Sequence, residues 1–180
     1  MMEGVSTLTA LYTVDIALLT EELRHPTAPP RAPAKEVADL LAVGGGPLDE
    51  EQAAYVVAVV EALGTHHGGV HPAVFPASRP WYDDDPHWHT FPARVLARYG
   101  PVVDHLVAET PERTTLAGLR FAAPWLVTRL DPTEARTAAV VAASAVHPME
   151  PDLAEELADL ESAIRTAAGE GLLVVGVCHL

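Results

Sequence analysis

The stretch GLLVVGVCHL, residues 171–180, constrains the fold more than any other part of the chain. It is apolar on successive residues and rich in β-branched valine, which predicts a strand. A strand with one wet face alternates apolar and polar residues. One that is apolar throughout must be covered on both faces, so this strand is expected to be central in its sheet or overlaid by helices. Its backbone donors and acceptors also need partners, because a buried N–H or C=O left unpaired is costly. The matching pattern lies at the other end, in TLTALYTV, residues 7–14, which reads as a strand running into Asp15. Asp15 suits the N-cap of a short helix begun by IALLTEEL, with Ile16, Leu19 and Leu23 as its apolar positions. Pairing the first strand with the last satisfies both. The expected fold class is α+β: a mostly helical single domain over residues 1–180, with a small sheet pairing the N- and C-terminal strands.

Between these ends the pattern is helical. Four prolines between residues 26 and 33 predict a stiff connector. A short helix is expected over 34–42, carrying Val37, Leu40 and Leu41 and ending in the glycine triplet 44–46. Pro47 is expected to open the next helix, which has acids in its first turn, Val56, Val59, Val60 and Leu63 on its apolar face, and Gly64 just past its end. Residues 93–99 and 102–109 read as helical pieces broken at Gly100-Pro101. TLAGLRFAAPWLVTRL reads as a short strand or turn followed by a short helix. Asp131 and Pro132 form an N-cap and N1 pair opening a helix over 132–146. The last helix, 151–168, places Leu153, Leu157, Leu160 and Ile164 on one seam. No internal repeat is evident.

The amphipathic end of the chain, LADLESAIRTAAGEGLLVVGVCHL, and the opening LYTVDIALLTEEL together resemble the YfbM-like group of small bacterial proteins of uncharacterised function. That resemblance implies an α+β fold and carries over no activity and no site residues.

Charge narrows the partners. The formal net charge is −14, with 25 acids against 11 lysines and arginines, and Lys35 is the only lysine. Phosphate binding needs clustered cations, so nucleic acid and anionic membrane are disfavoured, whereas a small-molecule ligand or a protein partner, a basic one included, is allowed. No apolar run approaches the length of a membrane span, and the opening residues have no basic region of the kind a signal peptide carries. A lone cysteine, Cys178, precludes a disulfide within the chain and makes the cytoplasm the default address.

Residues 64–91 show no periodicity and hold five of the nine histidines, which predicts a long irregular loop. Its densest part is WYDDDPHWHT, residues 81–90. Two readings follow. In the first, the loop is a contact surface for a ligand or partner, formed by Arg79, Trp81, Tyr82, Asp83, Asp85 and Trp88. In the second, the chain is a small metal-dependent enzyme and its cofactor is a divalent transition metal. His87 and His89, two apart in an extended segment, would share one face and offer two ligands. His66, His67 or His71, or one of Asp83, Asp84 and Asp85, would complete the set. The binding reading is the expected one.

Other chemistry-bearing residues have plainer explanations. Ser78 lacks the glycine-flanked elbow a serine nucleophile wants. Cys178 and His179 are adjacent on a strand and point to opposite faces, so they cannot pair. Ser144 and His147 sit at a helix end, where capping is expected. The triplet 44–46 is followed by Asp49, Glu50 and Glu51, which repel a phosphate, so a turn is expected there. Arg94 and Arg98 flank the loop with Arg79. They are expected to balance the aspartate triplet, or else to hold an anionic group.

Overall fold

The computed structural model describes residues 8–29, 31–69, 86–104 and 115–179, with the side chains of 8, 9, 86–89 and 91 excepted. In chain order the elements are β1 (Leu8–Val14), α1 (Ile16–Arg24), α2 (Ala32–Ala42), β2 (Gly46–Pro47), α3 (Glu50–Leu63) and β3 (Thr65–His66). They continue as α4 (Pro86–Tyr99), a 3-10 turn (Pro101–Val103), β4 (Thr115–Leu116), β5 (Leu119–Arg120) and β6 (Trp125–Leu130). The last three are α5 (Pro132–Ala143), α6 (Pro151–Glu170) and β7 (Leu173–His179).

The first and last strands pair antiparallel along their full length, from Leu8 opposite His179 to Val14 opposite Leu173. They are the central pair of a four-stranded sheet in the order β3-β1-β7-β6. Residues 173–178 of β7 are all buried, because helices cover both faces of the sheet. Leu173, Val175 and Val177 join Tyr12 and Val14 of β1 in a core with Leu19 and Leu23 of α1, Val37 of α2, and Val56 and Val60 of α3. Val174 and Cys178 face the opposite way. They pack with Leu11, Tyr99 of α4, Ala135 and Ala138 of α5, and Leu157, Leu160 and Ile164 of α6. The period of two along β7 thus feeds two separate cores. The molecule is α+β as expected: mostly helical, built on a sheet whose middle is the N- and C-terminal strands.

Several local expectations need correction. WLVTRL is strand β6, paired with the second edge of β7, where a helix was expected. The spacing of Leu126 and Leu130 imitates a helical turn, and a short apolar run does not separate the two periods. The long strand β7 decides it, because a buried strand with one bare edge would leave a row of unpaired groups. Pro47 lies in β2 rather than opening α3; Asp49 caps that helix instead, in a reciprocal box with Gln52 at 2.8 and 3.0 Å. The chain between β2 and α2 must approach β5 closely: a Cβ on Gly45, whose φ is +102°, would stand 2.2 Å from the Gly118 carbonyl oxygen. Gly44 and Gly45 therefore make the expected turn, set by backbone contact, while Gly46 already belongs to β2. Helix α5 stops at Ala143, short of Val146, and Ser144 turns its hydroxyl back to the Val140 carbonyl at 2.8 Å. Among the described residues, no helix is long and apolar enough to cross a membrane.

Candidate functional site: the anchored start of segment 64–91

Gly64 ends α3 in an extended conformation, φ −89° and ψ 169°, rather than the left-handed one its place after the helix suggested. The chain therefore passes straight from α3 into β3 along the outer edge of β1. Thr65 stands opposite Thr13 and His66 opposite Tyr12. The ladder continues past β3: His67 N–H donates to the Leu11 carbonyl at 2.8 Å, and Leu11 N–H donates to the Gly68 carbonyl at 2.9 Å. The expectation of an irregular loop from residue 64 onward is corrected at both ends, since residues 65–68 are tied to β1 and residues 86–91 belong to α4.

Strand alternation sends the two neighbouring histidines to opposite faces. His66 lies against the Tyr12 ring, centroids 5.2 Å apart. His67 turns toward α6 and is held at both ring nitrogens: Nε2 lies 2.8 Å from Thr13 Oγ1 and Nδ1 lies 3.2 Å from Ser162 Oγ. Thr13 is buried and has the imidazole as its hydrogen-bond partner. A buried hydroxyl hydrogen needs an acceptor, so Thr13 donates to Nε2. Nδ1 then carries the ring hydrogen and donates to Ser162. In this arrangement Ser162 is an acceptor, and the imidazole does not activate it as a nucleophile; Ser162 also sits within α6, whose backbone N–H groups are committed to the helix. Burial pushes the His67 pKa below its ordinary 6.5, His66 adds to this, and Asp159 and Glu170 oppose it. The neutral ring that the tautomer argument requires is thus also the electrostatically favoured one.

The next residues are fixed by α6. Gly69 N–H donates to Asp159 Oδ2 at 3.0 Å. Gly68 has φ +85°, and a Cβ there would lie 2.3 Å from the same carboxylate oxygen. The backbone at 68 favours glycine, and a side chain there would also have to displace the Asp159 carboxylate.

Of the residues singled out for metal binding, His67 is therefore a structural anchor, with both nitrogens occupied by hydroxyls. His66 and His67 do not converge, because they occupy opposite faces. His87 and His89 lie in the first turn of α4, not in an extended segment, and positions two apart on a helix do not share a face. The premise of a two-ligand HWH edge is corrected accordingly. Trp88 is in the same turn. His71, Arg79, Trp81, Tyr82, Asp83, Asp84 and Asp85 lie outside the described residues. Among the described residues no group of three or more His, Cys, Asp or Glu is placed to hold a metal ion. Among the described residues, Arg94 pairs with Glu150 and Arg98 with Glu161, each at 2.8 Å. Cys178 is buried and His179 packs its ring edge-on against Trp125, so the two do face apart as expected.

Thr13, Asp159 and Ser162, which do the anchoring, carried no signal in the sequence. Each is an ordinary residue made special by a partner distant along the chain, up to 95 positions away for Ser162 and His67. The paired glycines 68 and 69 were the one local sign of a tight approach. Comparison of the chain with protein-family models, with curated proteins and with solved structures finds no match.

Proposed function

We propose that the protein is a binding protein, and that segment 64–91 carries the residues that contact its ligand or protein partner. The observation that supports this reading is the anchoring of the segment. His67 is held by Thr13 and Ser162, and Gly69 by Asp159, so its start is fixed to β1 and α6. Its end is the opening of α4, which packs into the same core as α6 through Val95 and Tyr99. A stretch rich in Trp, Tyr and Asp, tied at both ends to a rigid scaffold, is a contact surface with a fixed address. The occupied ring of His67 favours this reading over a metal-dependent enzyme. That alternative would rest on His71, His87, His89 and the three aspartates. The two stretches resembling the YfbM-like group, β1 with α1 and α6 with β7, lie side by side in the fold; this fits a shared scaffold and adds no activity.

The test is thermal unfolding of the wild type across a small-molecule panel and with Zn²⁺, Ni²⁺ and Cu²⁺, since a ligand that binds only the folded chain raises its Tm. The expected result is a saturable rise with an organic ligand that is lost in Trp81→Ala and Trp88→Ala. A ligand whose effect survives both substitutions overturns the placement of the site. Retention of about one equivalent of transition metal, lost in His87→Ala and His89→Ala, makes the protein a metal-dependent enzyme candidate instead.

A further inference from the structure

On the face of the sheet that carries α4, α5 and α6, the three helices enclose a cleft of about 410 Å³. Its deep wall is apolar, from Ala139, Ala142 and Ile164, and its polar groups are Arg98, Arg165 and Glu161. Two of the chain's ten arginines converge here, in a protein with a net charge of −14. Glu161 holds both: Arg98 Nη2 at 2.8 Å and, weakly, Arg165 Nη2 at 3.7 Å. Arg98 is locked further by Nη1 donating to the Ala142 carbonyl at 3.1 Å, while its buried Nε has no partner. Arg165 is 79% exposed, and among the described residues its ion pair is the long one with Glu161.

We propose that this cleft binds a small organic monocarboxylate, its carboxylate held by Arg165 and Arg98 and its short apolar body lying against Ala139, Ala142 and Ile164. Three arguments support it. The volume falls within the range of roughly 300–1,000 Å³ usual for ligand pockets, and the lining has their character, apolar with a few convergent polar groups. Two guanidiniums against one carboxylate leave a single positive charge, provided Tyr99 at the back of the cleft stays neutral. Burial first, and then Glu161, push the Tyr99 pKa far above its ordinary 10, so its hydroxyl remains a donor, at 3.3 Å from Glu161 Oε2. One excess positive charge matches a monoanion, and the fork of Arg165 matches a planar carboxylate. A dianion such as phosphate would overfill the charge and leave the apolar wall bare. None of the residues lining the cleft belongs to segment 64–91, and the proposal does not depend on the reading given to that segment.

The test is a titration followed by ¹H–¹⁵N NMR, with the Arg98 Nε–H as a reporter inside the site. The probes are isovalerate and benzoate, their neutral counterparts isovaleramide and benzamide, and inorganic phosphate. The expected result is saturable shifts on α4, α5 and α6 with the carboxylates, and binding weaker by about tenfold or more with the amides, from loss of the charge-assisted bonds. Arg165→Gln, at an exposed position, should weaken the carboxylates by about tenfold and leave the amides unchanged. Ala143→Leu, on an exposed residue that also lines the cleft, should abolish binding by filling it. No saturable shift with either carboxylate, equal binding of acid and amide, tighter binding of phosphate, or indifference to both substitutions would overturn the proposal.

Discussion

Thr13 and Ser162 hold the same imidazole from opposite sides, yet their loss should cost different amounts. Thr13 is buried, and Thr13→Val takes away the donor that the half-buried His67 Nε2 has on that side. That costs about 1–3 kcal/mol. Ser162 is exposed, and water replaces its hydroxyl in Ser162→Ala at a cost within about 0.5 kcal/mol. Urea denaturation of the two variants checks this; equal losses would mean that Thr13 is not the donor. The same ring makes stability depend on pH. Because burial lowers the pKa of His67 in the folded chain below 6.5, the unfolded chain binds the proton more readily. The contribution is complete above pH 6.5 and is lost as the pH falls through the folded value. The stability advantage of wild type over His67→Gln should therefore shrink on acidification below that pH. An advantage that is flat or grows toward acid would show that Asp159 and Glu170 outweigh burial.

At the scale of elements, the sequence was legible where one segment decides its own state. The apolar run of β7, the Asp15 cap of α1 and the seam of Leu153, Leu157, Leu160 and Ile164 on α6 each read correctly, because cap chemistry and burial period are local. β6 did not read, because WLVTRL fits either period and only the bare edge of β7 selects a strand. β3 did not read either, since two residues hardly make a pattern and their pairing is written in β1. The candidate site was legible in part: His67 stood out as a histidine, but its role is set by Thr13, Ser162 and Asp159, which meet it only in the folded chain. The contact between Gly68 and Asp159 tests this. Gly68→Ala places a Cβ 2.3 Å from the carboxylate, in a backbone conformation that also disfavours a side chain. It should destabilise by about 1–3 kcal/mol from strain. Asp159→Ala removes the obstacle along with the acceptor for Gly69, so the double variant should lose less than the sum of the singles. A double-mutant cycle in urea measures this; strict additivity would mean that the segment does not rest on α6.

The whole molecule is organised by a single strand shared between two cores. Val175 belongs to the core with α1, α2 and α3, whereas its neighbours Val174 and Cys178 belong to the core with α4, α5 and α6. Neither helical layer can leave without uncovering one face of β7, so the two layers should unfold together. Cys178 reports on this directly, as the sole cysteine, fully buried at 0% exposure in the middle layer. A thiol reagent should modify it only when the fold opens, and the opening free energy from labelling should equal that from urea unfolding. Val175→Ala, on the opposite face, should lower both by the same amount, about 1–3 kcal/mol for two buried methyl groups and the cavity they leave. Val174→Ala, on the cysteine's own side, should do likewise. If Val175→Ala destabilises the protein in urea but leaves the labelling of Cys178 unchanged, the α4, α5 and α6 layer opens by itself, and the sheet divides the molecule where the shared strand should join it.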